Sequence, residues 1–285
     1  MEILRLAAFT TDPSGGNPAG VVIANAMPPD GEMQRIATQV GYSETAFLVP
    51  QPAARGDTRA FRVRYYSPVA EVPFCGHATI ASGVALAERV GPGRFDLMTN
   101  GGLVPVDVAA DAEGRLRATL TSVEPRVAEP DELLVEEALS ALRWERGELD
   151  RGLPPGLAYA GAWHLILATR RRERLTHLRY DFDRLREVML AADLTTVQLV
   201  WREAPLVFRA RDPFPVGGVV EDPATGAAAA ALGAYLRKRG FVAPTATITI
   251  HQGEEMGRPS VLTVDLVEGE QGVRVSGTAV AIPSG

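Results

Sequence analysis

The sequence predicts an α+β fold made of two similar halves. Three observations carry that expectation. Short β-like runs dominate both ends of the chain. Each half contains one apolar helix that opens on a glycine, with strands before and after it. A stretch rich in Pro, Glu and Gly, from Val123 to Gly161, lies between them.

In the first half, strands are predicted at Ile3 to Phe9, Gly20 to Ile23, Thr45 to Val49 and Phe61 to Tyr66. The helix starts at Cys75-Gly76-His77 and runs to about Arg89. Strands resume at Arg94 to Met98, Leu103 to Ala109 and Leu116 to Thr121. The second half repeats the plan. Strands are expected at Trp163 to Ala168, Val197 to Trp201 and Leu206 to Ala210, then a helix from Thr225-Gly226-Ala227 to about Arg239. Strands return at Ala246 to His251, Ser260 to Leu266 and Val273 to Val280. The small run Ala227 to Ala231 suits a helix packed on all sides. Two further helices are expected at Leu133 to Leu142 and Asp181 to Ala192, with Asp181 or Asp183 as a cap. The halves are placed at 1–120 and 121–285, with the last strand free to cross back to the first half.

Composition narrows the function. With 46% hydrophobic residues the 285-residue chain can build real cores. A net charge of −6 argues against a nucleic-acid binder, which needs a basic face. The run Arg170-Arg171-Arg172-Glu173-Arg174 is read as a solvated patch. No apolar run approaches the roughly 18 residues of a membrane span, and the N-terminus lacks the order of a secretory signal, so a cytoplasmic protein is expected. The lone Cys75 excludes an internal disulfide and also a racemase built on two opposed thiols. The histidines at 77, 164, 177 and 251 show no metal-ligand spacing on one element, and no phosphate-binding loop appears, so neither metal nor cofactor is expected.

Three segments carry chemistry. In Gly41-Tyr42-Ser43-Glu44-Thr45-Ala46-Phe47-Leu48 a carboxylate sits inside an apolar, strand-like run, placed either for proton transfer or simply facing water. In Glu71-Val72-Pro73-Phe74-Cys75-Gly76-His77-Ala78-Thr79 a glycine opens a helix whose first N–H groups favour an anion, and His77 either takes part or packs. In Glu221-Asp222-Pro223-Ala224-Thr225-Gly226-Ala227-Ala228 the design repeats, with Asp222 as a functional group or a turn residue. Taken together, two helix N-termini facing across a cleft would hold a carboxylate or a developing enolate, with Glu44, His77 and Asp222 supplying proton-transfer groups.

These segments, with Ala8-Phe9-Thr10, Gly16-Asn17-Pro18-Ala19-Gly20-Val21, Gln252-Gly253 and Met256-Gly257-Arg258-Pro259-Ser260, resemble the PhzF-like family of phenazine biosynthesis, which has the diaminopimelate epimerase-like fold. The resemblance spans nearly the whole chain. It implies two pseudo-symmetric domains, each a curled, mostly antiparallel sheet around a central helix, and often a homodimer. It implies an isomerase in which Glu44 moves a proton and His77 and Asp222 assist or bind. Asn17, Ser43, Gly76, Gly226 and Ala227 are the matching positions for binding a small carboxylate substrate. Family members that make phenazines carry serine where this chain has Ala227, so the backbone N–H persists and a hydroxyl contact is lost. Cys75 aligns with an epimerase acid/base cysteine but lacks a partner thiol, and is read as a small buried residue. The expected activity is therefore a cofactor-independent isomerase. The alternative is a non-catalytic member that binds a metabolite or a protein.

Overall fold

The computed structural model describes residues 2–51 and 59–283. They form two compact units, Met1–Thr121 with Ser276–Gly285, and Ser122–Val275. The first unit contains β1 (Leu4–Ala8), β2 (Asn17–Ile23), α1 (Asp30–Val40), β3 (Glu44–Pro50), β4 (Ala60–Tyr66), β5 (Glu71–Val72), α2 (Gly76–Val90), β6 (Gly93–Thr99), β7 (Gly102–Ala110) and β8 (Leu116–Thr121). The second contains β9 (Arg126–Ala128), α3 (Glu132–Leu142), β10 (Gly156–Tyr159), β11 (Trp163–Ala168), α4 (Arg172–Thr176), α5 (Phe182–Ala191), β12 (Leu194–Ala204), β13 (Val207–Pro213), β14 (Glu221–Asp222), α6 (Gly226–Lys238), β15 (Ala246–Gln252) and β16 (Ser260–Leu266). The last strand, β17 (Arg274–Ala281), pairs with β1 and β8.

The two units repeat one pairing scheme. In the first, β1/β2 is antiparallel, β2/β3 parallel, β3/β4 antiparallel, β4/β6 parallel and β6/β7 antiparallel. In the second, β10/β11, β11/β12, β12/β13, β13/β15 and β15/β16 follow the same alternation. A two-residue strand, β5 or β14, precedes the glycine-led helix in each unit and pairs antiparallel with β4 or β13. In the first unit the ladder runs through β7/β8 and β17 back to β1, so the sheet closes on itself. The curled sheet around a central helix that the family resemblance implies is the architecture found.

Enclosure explains the helix composition. Residues His77 to Ala87 of α2 are all buried, and so are Ala228 to Leu236 of α6. A helix with no solvent face has no polar stripe. Close approach to the sheet needs missing side chains at matching places. A Cβ on Gly83 would stand 2.8 Å from Val106 Cγ1, and one on Gly233 would stand 2.6 Å from Val264 Cγ1. Each glycine lies seven residues after the glycine that opens its helix.

Most predicted elements agree with those found to within a few residues, and side-chain caps mark the starts of α3 and α5. Asp131 accepts from the Leu133 N–H at 2.8 Å, and Asp181 accepts from the Arg184 N–H at 3.1 Å. Several elements were not in the sequence reading, among them β5, β14 and α4. Helix α1 was not expected, because its apolar Met33, Ile36, Ala37 and Val40 are diluted by polar neighbours; it is held by packing on Val22, Phe47 and Tyr66. The stretch between the halves, Val123 to Gly161, contributes β9 and β10 besides the expected helix, and these two strands pair with each other. In the second unit α3 and α5 share a core with β11 and β12 through Val135, Leu139, Leu185, Met189, Leu165 and Val197. Arg170 to Glu173 are exposed. No helix of the described residues is long and apolar enough to cross a membrane.

Candidate active site

The first unit gathers Ser43, Glu44, Cys75 and His77. Glu44 opens β3, beside Ala19 of β2 in the parallel ladder. Cys75 is the residue before α2, in extended conformation, and His77 is in the first turn. The helix start is anchored from behind. The Cys75 carbonyl accepts from the Thr79 N–H at 3.0 Å and from the Thr79 hydroxyl at 2.6 Å. That hydroxyl has spent its proton, so the Tyr65 phenol donates to it at 2.7 Å. Burial keeps Tyr65 a phenol by pushing its pKa up.

With the start fixed, His77 Nε2 stands 3.4 Å from Glu44 Oε2 and 3.3 Å from Ser43 Oγ. Cys75 Sγ lies 3.5 Å from Glu44 Oε2 and 3.4 Å from His77 Nδ1. The Glu44 side chain is 17% exposed and that of His77 7%. The carboxylate is thus mostly enclosed yet open on one side, rather than pointing freely at water. The residue before α2, Cys75, makes no side-chain cap bond to it. The helix's first N–H groups lack intrahelical partners and put partial positive charge next to the carboxylate.

One atom each of Glu44, Cys75 and His77 lies within 4.8 Å of the others, a spacing that one cation could share. Spacing along the sequence did not show this grouping, because Glu44 comes from a different strand. The positive end of α2 opposes a cation there.

The second unit has a matching constellation at the start of α6. The Thr225 hydroxyl donates to Asp222 Oδ2 at 2.6 Å. Buried Gln252, from the end of β15, clamps the turn: its Nε2 donates to the Asp222 carbonyl at 2.8 Å and to Thr225 Oγ1 at 3.1 Å, and its Oε1 accepts from the Thr225 N–H at 3.2 Å. Gly226 and Ala227 form the first turn of α6, again with no side-chain cap.

The same strut supports both helix starts. Arg64 of β4 grips Glu71 of β5 through two bonds of 2.7 and 2.6 Å, and Arg211 of β13 grips Glu221 of β14 in the same fork. A bidentate guanidinium–carboxylate pair fixes direction as well as distance. Arg64 holds the Glu71 carboxyl below its ordinary range.

Of the residues expected from the sequence, Ser43, Glu44, Gly76 and His77 come together in the first unit, and Asp222, Gly226 and Ala227 in the second. Asn17 is buried at the start of β2, two residues before the ladder partner of Glu44. Cys75 is buried as expected, and it also touches both Glu44 and His77, which the sequence did not indicate. The anchoring pair Tyr65 and Thr79 and the clamp Gln252 carry no motif that marks these roles; each sits among other polar residues of its strand or helix, so its own side chain is a weak signal.

Residues 6–285 match the family model of the phenazine biosynthesis-like proteins, PhzC-PhzF. The uncharacterized isomerase YfhB of Bacillus subtilis is 30% identical over 296 residues, covering 99% of this chain and 96% of its own. The trans-2,3-dihydro-3-hydroxyanthranilate isomerase of Pseudomonas fluorescens is 29% identical over 259 residues, covering 90% of this chain and 86% of its own. Among solved structures, the PhzF-family protein of Bacillus anthracis superposes with a TM-score of 0.87 at 25% identity, covering 99% of this chain and 98% of that one. A probable proline racemase of Agrobacterium radiobacter, 14% identical with a TM-score of 0.66 over 98% of this chain and 90% of that one, shares the fold alone. The chain belongs to the phenazine biosynthesis-like PhzC-PhzF family and is an isomerase.

Proposed function

We propose that the chain isomerises a small carboxylic acid by moving a proton, without a cofactor, with Glu44 as the acid/base. The observation that carries this is the Glu44–His77 contact of 3.4 Å at the start of α2. Glu44 is the group that takes the proton from carbon and returns it to another position. His77, held between Glu44 and the Ser43 hydroxyl, orients the carboxylate and relays the proton. The first-turn N–H groups beginning at Gly76 attract the substrate carboxylate and the negative charge that develops when the proton leaves. Asp222, oriented by Thr225 and Gln252, is a second polar group for binding or proton transfer, and the N–H groups of Gly226 and Ala227 offer main-chain contacts. The relative from Pseudomonas fluorescens acts on trans-2,3-dihydro-3-hydroxyanthranilate, an unsaturated amino acid of the expected class. Alanine at position 227 in place of a hydroxyl-bearing residue favours a related acid over that compound itself.

The test is turnover in D₂O with that compound and a panel of unsaturated and α-acidic carboxylic acids. Deuterium should enter the product at the carbon that receives the proton. Glu44→Gln keeps the shape and removes the base, and should lose ~10²–10⁴-fold in rate. A folded Glu44→Gln protein with near wild-type turnover would refute the assignment.

A further inference from the structure

Beneath Asp222 lies a string of buried polar groups that the proposed chemistry does not use. Asp212 of β13 is wholly buried and stands directly opposite Asp222 in the β13/β14 pairing. Directly opposed residues of an antiparallel pair project to the same face, so the two carboxyl groups are neighbours. Asp212 Oδ1 accepts from the Thr196 hydroxyl at 3.0 Å, and Thr196 Oγ1 is 2.8 Å from His164 Nδ1. Thr196 and His164 are wholly buried too. A hydroxyl owns one proton. If Thr196 gives it to Asp212, His164 must donate from Nδ1–H; burial keeps the imidazole neutral, so Nε2 is bare. Asp212 Oδ2 and His164 Nε2 have no hydrogen-bond partner among the described residues.

Among the described residues, no cation acts on Asp212. Its chain neighbour Arg211 projects to the other face and is taken by Glu221. Among the described residues, the charged groups that act on Asp212 are the carboxylates of Asp222, on its own face, and of Glu221, on the other face with Arg211; His164 reaches it through Thr196, and the hydroxyls of Thr196 and Thr225 are beside it. A wholly buried carboxyl beside a second carboxylate keeps its proton, because ionising it would set a second negative charge next to the first where burial has removed the water that would solvate it.

We propose that Asp212 and Asp222 act as one carboxyl pair holding a single proton at neutral pH, with Asp212 carrying it and Asp222 ionised. Asp212 is then a positioning residue: it fixes the charge state of Asp222 without touching substrate. Burial, first, and the Asp222 charge both push the Asp212 carboxyl well above its ordinary range, against the lowering effect of the Thr196 bond. The neutral acid is also the form that suits a wholly buried place. The corresponding position in the first unit is Tyr65, likewise next to the strut arginine and likewise buried and neutral. The functional consequence rests on Asp222 belonging to the isomerase site; the pair itself does not.

The test follows the carboxyl carbons by NMR in protein labelled at aspartate Cγ, titrated from pH 4 to pH 9 without substrate. One aspartate should remain in the acid form at pH 7, and its signal should be the one missing from Asp212→Asn. In Asp222→Asn that signal should persist and titrate at lower pH, because the opposed charge is gone. An Asp212 already ionised at pH 7 in the wild type would overturn the proposal. An unchanged Asp212 titration in Asp222→Asn would overturn the pairing. Wild type and Asp222→Asn suffice if Asp212→Asn fails to fold. Since no turnover is involved, a protein inactive on every acid tested would count against the proposed function and leave the pair standing.

Discussion

His164 offers a measurement in which the magnitude follows from burial. Its imidazole is wholly enclosed and bonded to Thr196, and loss of solvent pushes its pKa down to about 3 from an ordinary 6.5. A histidine with a lowered folded pKa gives stability that is fully present above its unfolded pKa and is lost as pH falls through the window from 6.5 towards 3. At pH 5 the unfolded imidazole is almost wholly protonated and the folded one almost wholly neutral. The folded state therefore loses about 2 kcal/mol relative to pH 7.5, at about 1.4 kcal/mol per pH unit below the unfolded pKa. Asp212 acts in the opposite direction. Its raised carboxyl costs nothing below the ordinary carboxylate range and destabilises increasingly as pH rises above it. The two trends offset each other in the wild type, so a comparison is needed. His164→Asn keeps a donor for Thr196 and removes the titration. Denaturant unfolding of both proteins at pH 7.5 and pH 5 should show the wild-type advantage shrinking by about 2 kcal/mol. Because both proteins contain Asp212, its contribution cancels in that difference. A wild-type advantage that is the same at both pH values would refute the claim that a neutral imidazole is confined there.

Other perturbations separate structure from chemistry. Cys75→Ala should lower turnover by less than about tenfold, the scale of one hydrogen bond of about 1 kcal/mol; a folded but dead variant would make the thiol an acid/base in its own right. Gly253→Ala should destabilise by about 3 kcal/mol, since its φ is +76° and a Cβ would meet the Arg258 carbonyl at 2.4 Å and the Pro223 carbonyl at 2.7 Å, both backbone atoms. Thermal unfolding checks this, and a wild-type midpoint would contradict it. Gly83→Ala and Gly233→Ala should each cost about 1–2 kcal/mol net, overpacking outweighing the gain in helix propensity. Isomerisation should survive dialysis against a chelator; loss of turnover restored by a divalent cation would instead turn Glu44, Cys75 and His77 into metal ligands.

The internal repeat was legible in the sequence for a physical reason. An enclosed helix must be apolar all round, and its start must be small where the chain turns, so Cys75-Gly76-His77 and Thr225-Gly226-Ala227 each announce a glycine-led helix between strand-like runs. The caps Asp131 and Asp181 were equally local signals. Helix α1 was obscured because its four buried residues are only an anchor stripe, and burial against Val22, Phe47 and Tyr66 outweighs its weak pattern.

The sequence by itself determined the α+β class, the placing of the two central helices, and Glu44, His77 and Asp222 as candidates. Each of those signals lies within a few consecutive residues, where periodicity and turn chemistry operate. Only the tertiary structure decided that Cys75 touches Glu44 and His77, that Gln252 clamps the turn at Asp222, and that Asp212 lies opposite Asp222 with Thr196 and His164 behind it. Most of those contacts join residues 16 to 32 positions apart in the chain. They depend on register and on which groups lose access to water, and both are fixed by the packed sheet rather than by any local run of residues.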